Sequence, residues 1–186
     1  MKTNFEFWFI SFSLVFVRAI DAFLTYSITP DLSHEGNPLV SLANQGWTAL
    51  IIANLIVVVL SIILLHYSIR FPTNSYPEKG NFSFKEFISY FLYNDQNSFY
   101  KIFFFVPYNK KVILNFCGYL FPRVFISWSL IIIFHNLGIM HSNQYLLINH
   151  DWNLWIYIYM FLIPITFFYF WKFFRIEYLK YLKSQM

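Results

Sequence analysis

ALIIANLIVVVLSIILL, residues 49–65, carries no charged side chain and two polar ones, Asn54 and Ser61. Trp47 precedes it and Tyr67 follows. The whole apolar run is about 20 residues long, the length that crosses the hydrocarbon core of a bilayer as one α-helix. Three further stretches read the same way, so spans are expected at about 5–28, 47–67, 118–138 and 152–174. Composition agrees. The 186-residue chain is 58% hydrophobic and 12% charged, with 25 Phe and 14 Tyr, whereas soluble domains are about 25% charged. A soluble fold of this size lacks the interior to hide so much apolar surface. The expected class is an all-α integral membrane protein, a single four-helix transmembrane bundle over residues 1–186.

The basic residues test this count. Outside the spans, Lys and Arg number one in the N-terminal tail, none between spans one and two, six from Arg70 to Lys111, none between spans three and four, and four at the C-terminal end. Positive residues mark cytoplasmic loops. The alternation fits four spans with both termini inside, and a missed helix would scramble it. Trp8, Trp47, Trp152, Trp155 and Trp171 fall near span ends, as interfacial anchors do. The net charge of +4 therefore belongs to membrane orientation and gives no reason to expect nucleic acid. Arg18 and Asp21 interrupt the first apolar run and no small-x-small site follows, so it reads as an uncleaved span. A Phe-, Tyr-, Asn- and Ile-rich composition points to a bacterial source and its inner membrane.

Residues 71–111 are too many for a plain connection. In SFKEFISYFL, Ser83 and Glu86 have capping-box spacing, and Phe84, Phe87, Ile88, Phe91 and Leu92 recur at helical spacing. This predicts a short amphipathic helix on the cytoplasmic leaflet or, equally, one packed against the bundle. YKIFFFVPYNKK, residues 100–111, reads as a second interfacial piece or a strand.

Polar residues inside spans need partners, because a charge at mid-bilayer costs at least about 2.5–3.5 kcal/mol. Arg18, Asp21 and Thr25 share one helix face. At 1.5 Å per residue, Asp21 lies roughly 10 Å below the outer end of span one, and Asn54 lies about as far below Trp47. A carboxylate facing an amide is expected there. That arrangement is either a buried polar site or interhelical glue. Arg123 either snorkels to the cytoplasmic interface or, if the third span begins near Val112, needs a buried acid. His135 falls near the outer end of span three and His66 near the inner end of span two. In the outer loop, Asn37-Pro38 is a helix start, with His34 and Glu35 just before it. Cys117 is the single cysteine and no HExxH-like spacing occurs. No metal and no cofactor are expected.

Asp21 and Thr25 form D-x3-T, and Glu35, Asn37 and Pro38 form E-x-N-P before an apolar span. Over about Val17 to Leu65 the chain resembles a family of small bacterial and archaeal multi-span membrane proteins that share this signature. The resemblance implies a membrane protein with a common polar site and implies no reaction. Three functions remain open. The first is binding of an ion, a lipid headgroup or a partner helix in an outer-side pocket built from Arg18, Asp21, Thr25, Glu35, Asn37 and Asn54. The second is an intramembrane enzyme acting on lipid or peptide, with Asp21 and Glu35 as acid and base and His135 assisting. The third is a structural subunit of a homo- or hetero-oligomer. The binding reading is preferred to the enzyme, since no nucleophile stands in a recognisable setting.

Overall fold

The computed structural model describes residues 2–32, 46–73, 76–77, 81–105 and 107–185. Within them the chain forms helices α1 (Lys2–Ile28), α2 (Trp47–Arg70), α3 (Phe84–Tyr93), α4 (Lys110–His141), α5 (Asn143–Trp152) and α6 (Leu154–Ser184). A 3-10 turn covers Phe99–Phe103, and no described residue lies in a strand. Four of the helices, α1, α2, α4 and α6, are long and apolar enough to cross a membrane. The first two match the expected spans closely. The other two do not stop where expected: α4 has 32 residues and starts at Lys110, and α6 has 31 and runs to Ser184. Both extend past the hydrophobic windows toward the end that carries the lysines, and both continue through an internal proline, Pro122 and Pro164. Each proline forfeits one backbone hydrogen bond, which apolar packing outweighs.

Local chemistry sets the helix starts. Ser83 accepts from the Glu86 amide while the Glu86 carboxylate accepts from the Ser83 amide at 2.8 Å, a complete capping box. Asn109 caps α4 through the Val112 amide and Ser142 caps α5 through the Tyr145 amide. The Ser142 cap limits the break between α4 and α5 to a single residue, and Tyr145 of α5 reaches back to His135 of α4.

The register of the long helices follows from side-chain contacts. Tyr26 stacks edge-on against Trp47, and Phe7 against His66, so α1 and α2 run antiparallel. Arg18 reaches Ser129, and Glu6 reaches Arg123, so α4 runs parallel to α1. Phe116 of α4 contacts Phe170, Phe173 and Phe174 of α6. Thus α1, α2 and α6 each pack on α4, while α1 and α6 make no extensive contact with each other. Outward faces carry large exposed apolar side chains such as Phe12, Phe16 and Phe23 on α1 and Leu55, Val59 and Ile63 on α2. Patches of this extent are unstable in water and natural in lipid.

The densest core lies at the basic end. Phe87, Ile88, Phe91 and Leu92 of α3 are buried against Val112 of α4 and Phe173, Phe174 and Tyr181 of α6. The apolar face of α3 is therefore turned into the protein and not onto a leaflet, the second of the two placements its sequence allows. The extension of α6 also holds down the segment that follows α2. Glu177, 4% exposed, accepts from Tyr76 at 2.9 Å and from Thr73, and pairs with Lys180 at 2.6 Å. Burial, with the Glu177 carboxylate beside it, pushes the Tyr76 hydroxyl far above its usual range. Tyr178 donates to the Phe82 carbonyl at 2.9 Å and Gln185 to that of Pro77 at 3.2 Å. Hydropathy gives no sign of this clamp, because its carboxylate sits in what reads as a solvated tail.

Candidate functional site

The face of α1 that carries Arg18, Asp21 and Thr25 turns toward α4. Arg18 Nη1 donates to Asp21 Oδ2 at 2.9 Å and to Ser129 Oγ at 3.1 Å. Asp21 is 7% exposed and Ser129 fully buried. The i, i+3 spacing puts the two charges side by side on one helix, and the serine of α4 accepts the guanidinium's remaining reach. Arg18 Nε is buried without a partner. The unit is a largely buried ion pair that joins α1 to α4.

The expected facing amide is not there. Asn54 is half-buried and donates to the Leu50 carbonyl of its own helix at 2.9 Å, a local bond that neutralises the amide without Asp21. Glu35, Asn37, Pro38 and His34 lie outside the described residues, so the outer-loop half of the expected site is not placed. The two ends of that loop are held together, since Trp47 Nε1 donates to the Pro30 carbonyl at 2.7 Å. Arg123 reaches toward the start of its helix, as long helical side chains do, and there meets an acid. Its Nη2 lies 2.6 Å from Glu6 Oε1, its Nη1 donates to the Tyr119 carbonyl, and its guanidinium rests 4.0 Å above the Tyr119 ring. Of the two outcomes weighed for Arg123, the helix that starts at Lys110 and the pairing with Glu6 fit the second, in which it needs an acid.

One turn beyond Asp21 a cavity of about 180 Å³ opens between α1, α4, α5 and α6. Of the residues expected in a polar site, Thr25 and His135 line it; Arg18, Asp21 and Asn54 do not. One wall is aromatic: the Trp128 and Tyr159 rings lie 5.2 Å apart, and Trp155 meets Tyr159 edge-on at 6.0 Å. Another wall is polar. His135 Nδ1 and the Tyr145 hydroxyl are 2.8 Å apart, which fixes the ring between α4 and α5. Asn136, 9% exposed, borders the cavity and bonds to no described group. Asn149 of α5 also borders it, with its Oδ1 buried and unpartnered. Buried amides are almost always hydrogen-bonded, so the Asn149 Oδ1 is free to accept from whatever fills the cavity, water included.

No charged side chain lines the cavity among the described residues, and no group of three or more His, Cys, Asp or Glu converges there or elsewhere in them. The chemistry on offer is hydrogen bonding and aromatic contact. Sequence reasoning missed Ser129, Asn136, Asn149, Glu6 and Glu177. Ser129 and Asn136 had a signal, since they are seven apart and share the face of α4 that meets Arg18. Scans against protein-family models, curated proteins and solved structures found no match.

Proposed function

We propose that this chain is a multi-pass protein of the bacterial inner membrane, with both termini cytoplasmic, whose outer-side cavity binds the hydroxyl-bearing headgroup of a membrane lipid. The Asn149 carboxamide carries this reading. Its Oδ1 is buried beside the cavity without a partner among the described residues, and leaving such a group unsatisfied costs about 1–3 kcal/mol. A hydroxyl group placed there recovers that cost. An ion is a poorer guest, since a desolvated charge demands a countercharge and the described lining supplies none. The lipid source is supported by the packing of α1 and α6, which flank the cavity and contact α4 but, among the described residues, make no extensive contact with each other. A lipid can enter sideways between them.

Native mass spectrometry of the protein released from membranes should show an intact lipid retained at one site. Asn136→Leu combined with Asn149→Leu keeps the side-chain size and removes both carboxamides. Retention should fall about tenfold, the equivalent of one or two neutral hydrogen bonds. A free hydroxylated small molecule in place of lipid would contradict the lipid source. Equal retention in the double variant would contradict the site.

Orientation has its own test. An outside position for the α4–α5 turn is supported by the lysine distribution and by the antiparallel order of α1 and α2. A reporter fused at Asn143 should read as periplasmic, and fusions at Lys101 and at the C-terminus as cytoplasmic. A cytoplasmic reading at Asn143 would defeat the four-span topology.

A further inference from the structure

Tyr100, Phe104, Phe105 and Tyr108 are 56%, 78%, 60% and 78% exposed. They stand on the short segment between α3 and α4, outside the four long helices. Four neighbouring aromatic side chains do not stay exposed in this way by looseness of the segment, because the backbone beneath them is tied. The Tyr93 hydroxyl donates to the Lys101 carbonyl at 3.0 Å and the Phe105 carbonyl at 2.7 Å. The amides of Tyr108 and Asn109 both donate to the Leu92 carbonyl, at 3.1 and 3.3 Å. Phe99 and Ile102 of the same segment pack inward against the α3 core. The fold thus sorts six apolar side chains into two that it uses and four that it presents.

The level of this display follows from the helix register. Asn115 of α4 donates to the Phe71 carbonyl, the residue that ends α2. Lys110, where α4 starts, is therefore about 7–8 Å along the helix from the level at which α2 ends. The segment leaves the helices beyond the ends of their apolar runs, at the end of the bundle that carries the lysines. Charge around it is one-sided. Lys110 and Lys111 are exposed, and Asp95, the one acid between Asn94 and Lys111, is engaged by Ser98 and Lys101. The two lysines occupy the first turn of α4 with no acid beside them. Cations there oppose the helix dipole, so the stability of α4 does not account for them. Aromatic rings at the interface with lysines beside them are the chemistry of an anionic leaflet.

We infer that residues 100–111 are a membrane-contact element, with Tyr100, Phe104, Phe105 and Tyr108 seated at the headgroup–acyl boundary of an anionic leaflet and Lys110 and Lys111 held to its phosphates. The inference rests on the reading that the long helices span a membrane, and the test separates the two. A nitroxide is placed at Phe104→Cys or, as a reference within a span, at Phe16→Cys, each with Cys117→Ser. The protein is reconstituted in vesicles of phosphatidylcholine alone or with a third phosphatidylglycerol. With anionic lipid, the label at 104 should be reached by oxygen and shielded from a water-soluble nickel complex. Lys110→Gln with Lys111→Gln should lower the ratio of immersed to exposed label by more than tenfold, at about fivefold per lysine. A label at 16 in lipid with the label at 104 in water overturns the inference and leaves the spans standing, as would occur if the aromatics await a soluble partner. Immersion that is equal in both lipids and indifferent to the lysines overturns the anionic preference. Both labels in water overturn the spanning reading itself.

Discussion

Gly118→Ala should leave little correctly folded protein, although it adds a single methyl group. A Cβ at 118 would lie 2.1 Å from the Leu64 carbonyl oxygen, 2.7 Å from the Leu64 carbonyl carbon and 2.7 Å from Ser68 Cβ. Two of these atoms are backbone of α2, so no rotamer change relieves the clash. The helices must separate, and the α2–α4 contact is the most extensive in the fold. Small residues at helix contacts let backbones approach closely in lipid, where packing replaces the hydrophobic effect as the driving force. Overpacking a well-filled core costs about 1–3 kcal/mol and occasionally more; the rigid obstacle puts this site at the upper limit or beyond. Two other glycines calibrate the result. At Gly138 the added Cβ meets the Tyr145 ring at 2.9 Å, a side chain that can shift, and at Gly46 it meets nothing within 4 Å. Unfolding in mixed micelles should rank the alanine variants 118, 138, 46 in order of damage. If alanine at 118 is tolerated as well as at 46, α2 and α4 do not pack as described.

That contact also shows where sequence reading stops. The apolar runs of α1 and α2 announce themselves, because hydrocarbon thickness imposes a length and nothing else in a small protein does. The same criterion does not show that α4 begins before its apolar window or that α6 continues past its own. A helix that continues past its apolar window into a protein core shows no hydropathy edge. For α3 the capping box marks the start to the residue. Its partner is not legible, because an apolar stripe has the same spacing whether lipid or protein covers it. Arg18 and Asp21 stand out since a charge in an apolar run must be matched, and each proves to be the other's match. Asn136 and Asn149 stay silent. A neutral amide in a long helix is common, and only the tertiary fold shows that these two border one cavity. Glu6 and Glu177 fail for the same reason: their partners are 117 and about a hundred residues away.

Asp21→Asn, made alone, should be among the most damaging single changes at a polar position. It leaves Arg18 charged and largely buried, with Ser129 as its one remaining polar partner among the described residues. Breaking a buried pair by removing one member costs about 3–5 kcal/mol, enough to lower the amount of folded protein severely. Arg18→Gln combined with Asp21→Asn removes both charges. Replacing a buried pair by neutral groups of like volume is often nearly neutral, so abundance and unfolding resistance should return close to the parent's. The double variant then asks what the pair is for. Neither residue lines the cavity. If the pair serves as the joint that holds α1 on α4 beneath it, the double variant should retain lipid as well as the parent does. If Asp21 acts on the guest through Thr25, one turn above, retention should fall although the fold recovers. A single Asp21→Asn variant as abundant and stable as the parent would show that Arg18 finds another counter-ion, and the ion pair would lose its place as the joint between α1 and α4.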